Sequence, residues 1–168
     1  MKQISMKTPD YKKMYEKIYT VIGDKTPLKA DCGKLCGGAC CKGDKDIGMR
    51  LFPFEESELQ VRKLPSGVRL AVCDGKCVRE KRPLACRIFP FFPTIDERGR
   101  IFVEADTRAQ RLCPLLMHSD EILFDKSFLK AVKKVGKILA KEETCRAFLY
   151  ETTEEIDTYS AFLDNMDI

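Results

Sequence analysis

Cys32-Gly33-Lys34-Leu35-Cys36-Gly37-Gly38-Ala39-Cys40-Cys41 puts four of the chain's nine cysteines within ten residues, spaced C-x3-C-x3-C-C. In an ordinary core a buried cysteine is a small, scattered hydrophobe and has no reason to cluster. Thiolates this close either oxidise to disulfides or hold a soft metal. The interleaved Gly33, Gly37 and Gly38 let the chain fold tightly and point amide N–H groups at sulfur, which stabilises thiolate charge. Cys40 and Cys41 are adjacent and their side chains diverge, so they serve two metals or only one of them is a ligand.

Working outward, Cys73 with Cys77, then Cys86, then Cys113 make three further groups, each in a loop, a hairpin or beside a proline. The candidate metal ligands are therefore Cys32, Cys36, Cys40, Cys41, Cys73, Cys77, Cys86 and Cys113. Eight thiolates make two closed zinc sites of four sulfurs each. Alternatively, four of them hold one iron–sulfur cluster and the rest sit at a second metal or stay unligated. Arg79, Lys81, Arg82 and Arg87 would offset the negative charge of either centre, or simply form an exposed loop. Phe89, Phe91 and Phe92 would shield a site from water or belong to the core.

The 168 residues, 44% hydrophobic and 33% charged, fit one soluble domain spanning 1–168, with a cluster core over about 32–113 and C-terminal helices over about 120–166. No apolar run is long enough to span a bilayer, and Met1 to Asp10 lacks the apolar stretch of a secretory signal. The expected compartment is the cytoplasm, where clustered cysteines read as metal-binding or catalytic before they read as disulfides. A net charge of +4 is too small to imply nucleic acid.

Thr8-Pro9 reads as the cap and first residue of a helix whose buried face is Tyr11, Met14, Tyr15, Ile18 and Ile22, stopped at Gly23. Ile47 to Phe52 reads as a strand, and Pro53 to about Lys63 as a helix with Glu55, Glu56 and Glu58 in its early turns. Pro65-Ser66-Gly67 is a turn, Val68 to Cys73 a strand, and Cys73 to Cys77 a tight hairpin closed by the two cysteines. A second hairpin runs from Phe91 to Ile95, through Asp96 to Gly99, to Arg100 to Glu104. Phe128, Leu129, Val132, Val135, Ile138 and Leu139 make one face of a helix and Lys126, Lys130, Lys133, Lys134, Lys137 and Lys141 the other. Thr152 with Glu155 resembles a capping box for a final helix with Ile156, Tyr159, Leu163 and Met166 on its apolar face. Its acidic residues, Glu151 among them, offer the lysine face a partner within the chain.

The C-x3-C-x3-C-C block followed by C-x4-R-P-x2-C-R-x-F-P, Cys77 to Pro90, resembles the YkgJ-type cysteine-cluster family. Its members are described as zinc- or iron-chelating domains and include relatives of flagellin lysine N-methylase. The resemblance covers about Cys32 to Cys113, and its first-block spacing is wider here than in many relatives. It implies that Cys32, Cys36, Cys40 and Cys41 form one block and Cys73, Cys77 and Cys86 a second. Cys113 would be the late cysteine, and Arg82 and Arg87 the basic companions.

The expected fold is α+β: a small cysteine-rich metal-binding core of loops and β-hairpins, flanked by helices from both termini. The expected function is binding of iron, as an iron–sulfur cluster, or of zinc. The alternatives are an iron–sulfur-dependent protein-modifying enzyme, as the methylase kinship implies, and a zinc-stabilised interaction module. Either would act on an unknown protein partner or substrate, with no nucleic acid and no membrane. No dinucleotide- or phosphate-binding glycine motif supplies a cofactor pocket. The lone His118 reads as exposed, Glu104 and Asp106 as surface carboxylates, and Cys145 as a core cysteine.

Overall fold

The computed structural model describes residues 10–41, 48–75 and 77–166. Helix α1, Tyr11–Ile22, buries Tyr15, Ile18 and Ile22 along one face, as the spacing predicts. Thr8 and Pro9 lie outside the described residues. Within them the cap is Asp10, whose carboxylate accepts from the Lys13 N–H at 3.1 Å. Gly23 ends the helix at φ 49°.

Near the other end of the chain, α5 (Lys126–Leu139) packs on α1. Phe128, Ala131, Val132, Val135 and Leu139 face inward, and the six lysines are solvated. Asp125 caps α5, accepting from the N–H groups of Ser127 and Phe128 at 2.6 and 3.3 Å. Gly136 sits where α5 crosses the segment 93–101. A Cβ there would stand 2.5 Å from Pro93 and 2.8 Å from Ile101, so no larger residue fits without displacing one of them.

The last helix, α6, runs unbroken from Glu143 to Asp164. Its cap is Glu142, accepting from the Cys145 N–H at 2.7 Å, so the expected start at Thr152 is corrected. Thr152 lies mid-helix with its side chain buried. On the expected apolar face only Ile156 is buried, and Met166 is exposed. The carboxylates of Glu151 and Glu155 meet Arg50 at 3.0 and 3.2 Å, and Glu155 also meets Arg108 at 2.5 Å. These arginines, rather than the lysine face of α5, are their observed partners.

Three short strands form one antiparallel sheet: β1 (Met49–Arg50), β2 (Gln60–Lys63) and β3 (Arg69–Val72), in the order β1-β3-β2. Ile47, expected at the start of the first strand, lies outside the described residues. The helix expected over 53–63 is replaced by a turn and β2. The Pro65-Ser66-Gly67 turn thus closes a β2–β3 hairpin, with Val61 opposite Ala71. The physical reason is Glu55. Its side chain is fully buried and accepts from Phe52 N–H at 3.0 Å, Leu84 N–H at 2.6 Å and Tyr19 O–H at 2.6 Å. A carboxylate bound by two distant parts of the chain and by its own turn is not free to decorate a helix start. Phe54, the residue before Glu55, is at φ 62°, its ring stacked on Tyr11 at 3.8 Å.

The expected hairpin at Cys73–Cys77 is also corrected. Strand β3 already has β1 on one edge and β2 on the other, so no edge remains for a strand after Cys73. The second expected hairpin is present as β4 (Phe91–Phe92) and β5 (Glu104–Ala105), continued by an Ile95–Ile101 bridge. Phe91 and Phe92 belong to the core. Phe91 meets Phe128 edge-on at 6.1 Å, and Phe92 stacks on Phe52 at 5.9 Å. The fold is α+β, and no helix among the described residues is long and apolar enough to cross a membrane.

Candidate functional site

The first cysteine block is a one-turn helix, α2 (Gly33–Cys36), and a 3-10 turn, Ala39–Cys41, joined by Gly37 and Gly38. Both glycines are left-handed, at φ 60° and 69°, a conformation that costs other residues about 1–2 kcal/mol. The Gly38 N–H closes on Gly33 C=O at 3.0 Å and the Cys41 N–H on Gly38 C=O at 2.8 Å, which turns the chain back on itself. Cys32 and Cys36 are one helical turn apart, with the Cys36 thiol 3.9 Å from the Cys32 carbonyl.

The second block is a loop laid against the first. The Gly75 N–H donates to the Cys73 sulfur at 3.3 Å, and a Cβ at Gly75 would stand 3.1 Å from the Cys41 carbonyl oxygen. This is where the two blocks meet backbone to backbone. Cys86 projects from α3 (Leu84–Ile88), whose first N–H is the one held by Glu55. Cys113 is buried at the start of α4 (Pro114–Met117), over a small apolar cluster of Ala109, Leu115 and Leu116.

All eight predicted ligands border one of two adjoining cavities, of about 410 and 240 Å³. The larger is bordered by Cys32, Cys36, Cys40, Cys41, Cys86 and Cys113, the smaller by Cys40, Cys41, Cys73, Cys77 and Cys86. The ninth cysteine, Cys145, is in the core with its thiol 3.9 Å from the Pro53 carbonyl. Among the described residues no two of the nine are joined by a disulfide. The sulfurs surround the cavities rather than a point: among the described residues, no three side chains of His, Cys, Asp or Glu are gathered tightly enough to hold one ion.

Burial pushes the Cys86 thiol up, with the nearby Cys41, Cys77 and Cys40 adding to it. Cys40 is exposed, yet desolvation and then Cys41, to which it is hydrogen-bonded, push its thiol up to about 12. Cys32 and Cys113 are raised for the same first reason. The amides of Leu115 and Leu116 pull the other way on Cys113, favouring its thiolate.

The four basic residues separate by role. Arg79 is tied to Lys25 C=O at 2.7 Å, and Lys81 to Glu58 at 2.9 Å. Arg87 is tied to the carbonyls of Arg82 and Glu80 at 2.9 and 2.6 Å and lies over the Tyr19 ring at 4.5 Å. Arg79, Arg82 and Arg87 all border the larger cavity, and Arg82 is hydrogen-bonded to a cysteine, Cys77. Burial opposes the Arg82 charge, but its hydrogen bond to Cys77 and the proximity of Cys41, Cys77 and Cys86 outweigh this and raise its pKa. Its Nε, like that of Arg79, is buried with no hydrogen-bond partner among the described residues. Such an orphaned cationic donor beside three thiols fits an anionic centre with acceptor atoms to spare.

His118 is exposed. Asp106 is bound to Arg108 at 2.8 Å, Glu104 is exposed, and neither borders the cysteine cavities. Glu55 was missed as a positioning residue. Its only local signal is its place two residues after Pro53, which equally marks a helix start.

Fold and site together define a small α+β protein whose loops enclose a pair of thiol-lined cavities. Comparison with protein-family models, with curated proteins and with solved structures gave no match.

Proposed function

We propose that this protein binds metal through its cavity thiols, as an iron–sulfur centre ahead of zinc. The observation that carries the reading is the sorting of the cysteines: eight from four separate stretches border two adjoining cavities, while the ninth is packed in the core. Apolar burial alone gives no reason for such sorting. Cys32, Cys36, Cys40, Cys41, Cys73, Cys77, Cys86 and Cys113 would supply the ligands. An iron–sulfur centre would supply one-electron chemistry. The orphaned Arg82 donor favours a centre with inorganic acceptors. Glu104 and Asp106, the carboxylates expected for acid–base work, border neither cavity, whereas Asp31 and Asp74 border the larger.

The test is anaerobic purification followed by iron, zinc and acid-labile sulfide analysis. A brown protein with iron and sulfide in comparable amounts is expected. A colourless protein with stoichiometric zinc overturns the iron–sulfur reading, and one with neither metal overturns metal binding.

A further inference from the structure

We propose that the eight thiols form two neighbouring sets of four that cut across the sequence blocks, each holding its own metal centre. Cys32, Cys36, Cys40 and Cys113 make one set; Cys41, Cys73, Cys77 and Cys86, with Arg82, make the other. This deepens the metal-binding reading and rests on it.

The cavity walls settle five of the eight. Cys32, Cys36 and Cys113 border only the larger cavity, and Cys73 and Cys77 only the smaller. Cys40, Cys41 and Cys86 border both, and their neighbours assign them. Arg82 lies among Cys41, Cys77 and Cys86 and is hydrogen-bonded to Cys77, so these three surround one cation. Cys77 is in turn hydrogen-bonded to Cys73. Cys40 neighbours Cys32 and Cys36 on one side, and Cys41 and Cys86 on the other. Cys32 has Cys113 and Cys36 beside it.

Local geometry explains why the C-C pair divides. Cys40 and Cys41 lie in a 3-10 turn, where successive side chains are about 120° apart at three residues per turn. The two thiols stay hydrogen-bonded to each other, with Cys32 and Cys36 near Cys40 and Arg82 near Cys41. Gly75 pressed on the Cys41 carbonyl holds the second loop to that side of the turn. Each set then has four thiols, the number that closes a zinc shell or holds an iron–sulfur cluster. The Cys40–Cys41 peptide is the bridge between the centres.

The experiment is anaerobic titration of the reduced, metal-stripped full-length chain with Co2+, read by thiolate-to-cobalt charge-transfer absorbance and by equilibrium dialysis. Two equivalents are expected for the native sequence; a single equivalent overturns the division without any variant. Three double variants each remove two sulfurs. C32S/C113S and C73S/C77S are expected to retain one equivalent with undiminished absorbance per ion. C32S/C77S, which damages both sets, is expected to retain no tight equivalent. Equal losses in all three overturn the division, as does full retention in C32S/C77S. R82Q is expected to weaken about tenfold only the step that C73S/C77S abolishes; equal weakening of both steps overturns the assignment of Arg82. Failure of the native chain to bind any Co2+ overturns the metal-binding reading itself, a result distinct from one shared centre.

Discussion

Between α1 and α5, Ile18, Ile22, Phe128, Val132, Val135 and Leu139 have no solvent exposure, whereas of the eight cavity thiols only Cys113 is buried. The helical body is held by apolar area removed from water, with aromatic contacts such as Phe52–Phe148 at 4.9 Å inside it. The cysteine lobe is held by turn hydrogen bonds, left-handed glycines and a backbone-to-backbone contact at Gly75. Such a lobe contributes little to folding unless something binds its sulfurs. The two regions should therefore respond to different perturbations.

The largest expected effect is in the body. Phe128→Ala removes a ring with 0% exposure and leaves a cavity among Phe91 and the α1 face, at a cost of about 4 kcal/mol. Urea denaturation read by helical circular dichroism checks it. Because the lobe hangs on the body, metal content should fall with the folded fraction and no faster. A loss of metal at full helicity would break the comparison.

Glu55 joins the two regions, and its replacement comes next. It ties α1 through Tyr19, the 52–55 turn through Phe52, and the Cys86 helix through Leu84. Glu55→Ala strands these donors in the interior, at a cost of about 3 kcal/mol. The pH dependence has a definite sign. Burial raises the Glu55 carboxyl above its ordinary value of 4.5, against the pull of Leu84, Tyr19, Phe52 and Arg69. The folded state thus keeps a proton that the unfolded chain has already lost. The contribution of this group to stability falls as pH rises from about 4.5 through the raised value. In Glu55→Gln that slope disappears, which urea midpoints across this range compare directly. A variant with the native slope would mean that another group carries it.

How much of this was legible in the sequence follows the same divide. Periodicity located the buried faces of α1 and α5, because one apolar stripe has one stable destination. The cysteines were legible as a set, because chemistry rather than packing explains their clustering. What failed depended on long-range partners. The acidic residues after Pro53 looked like a helix start, but Glu55 is claimed by Tyr19 and Leu84, 36 and 29 residues away in the chain. The Pro65–Gly67 turn was read correctly, yet what it connects is decided by pairing with β3. The Cys73–Cys77 hairpin failed because β3 was already paired on both edges, which no local window reveals. Gly136 gave no signal, since its contacts are with Pro93 and Ile101 across the fold.

The smallest expected change in stability is in the lobe, and it separates the two regions most cleanly. Gly75→Ala places a methyl group on a backbone at φ 87°, within 3.1 Å of the Cys41 carbonyl oxygen. The strained conformation costs about 1 kcal/mol, and the loop has room to relieve it by moving away from the first block. That movement draws Cys73 and Cys77 off Cys41 and Cys86 without touching any residue between α1 and α5. The urea midpoint of the metal-free variant should therefore lie close to that of the metal-free native chain. Metal retention under a competing chelator should fall far more than that small difference in stability requires. Equal retention would mean that the Gly75 contact does not set the geometry of the sulfurs. A large drop in the metal-free midpoint would mean that the lobe is part of the body's cooperative unit, and that the two regions share one stability.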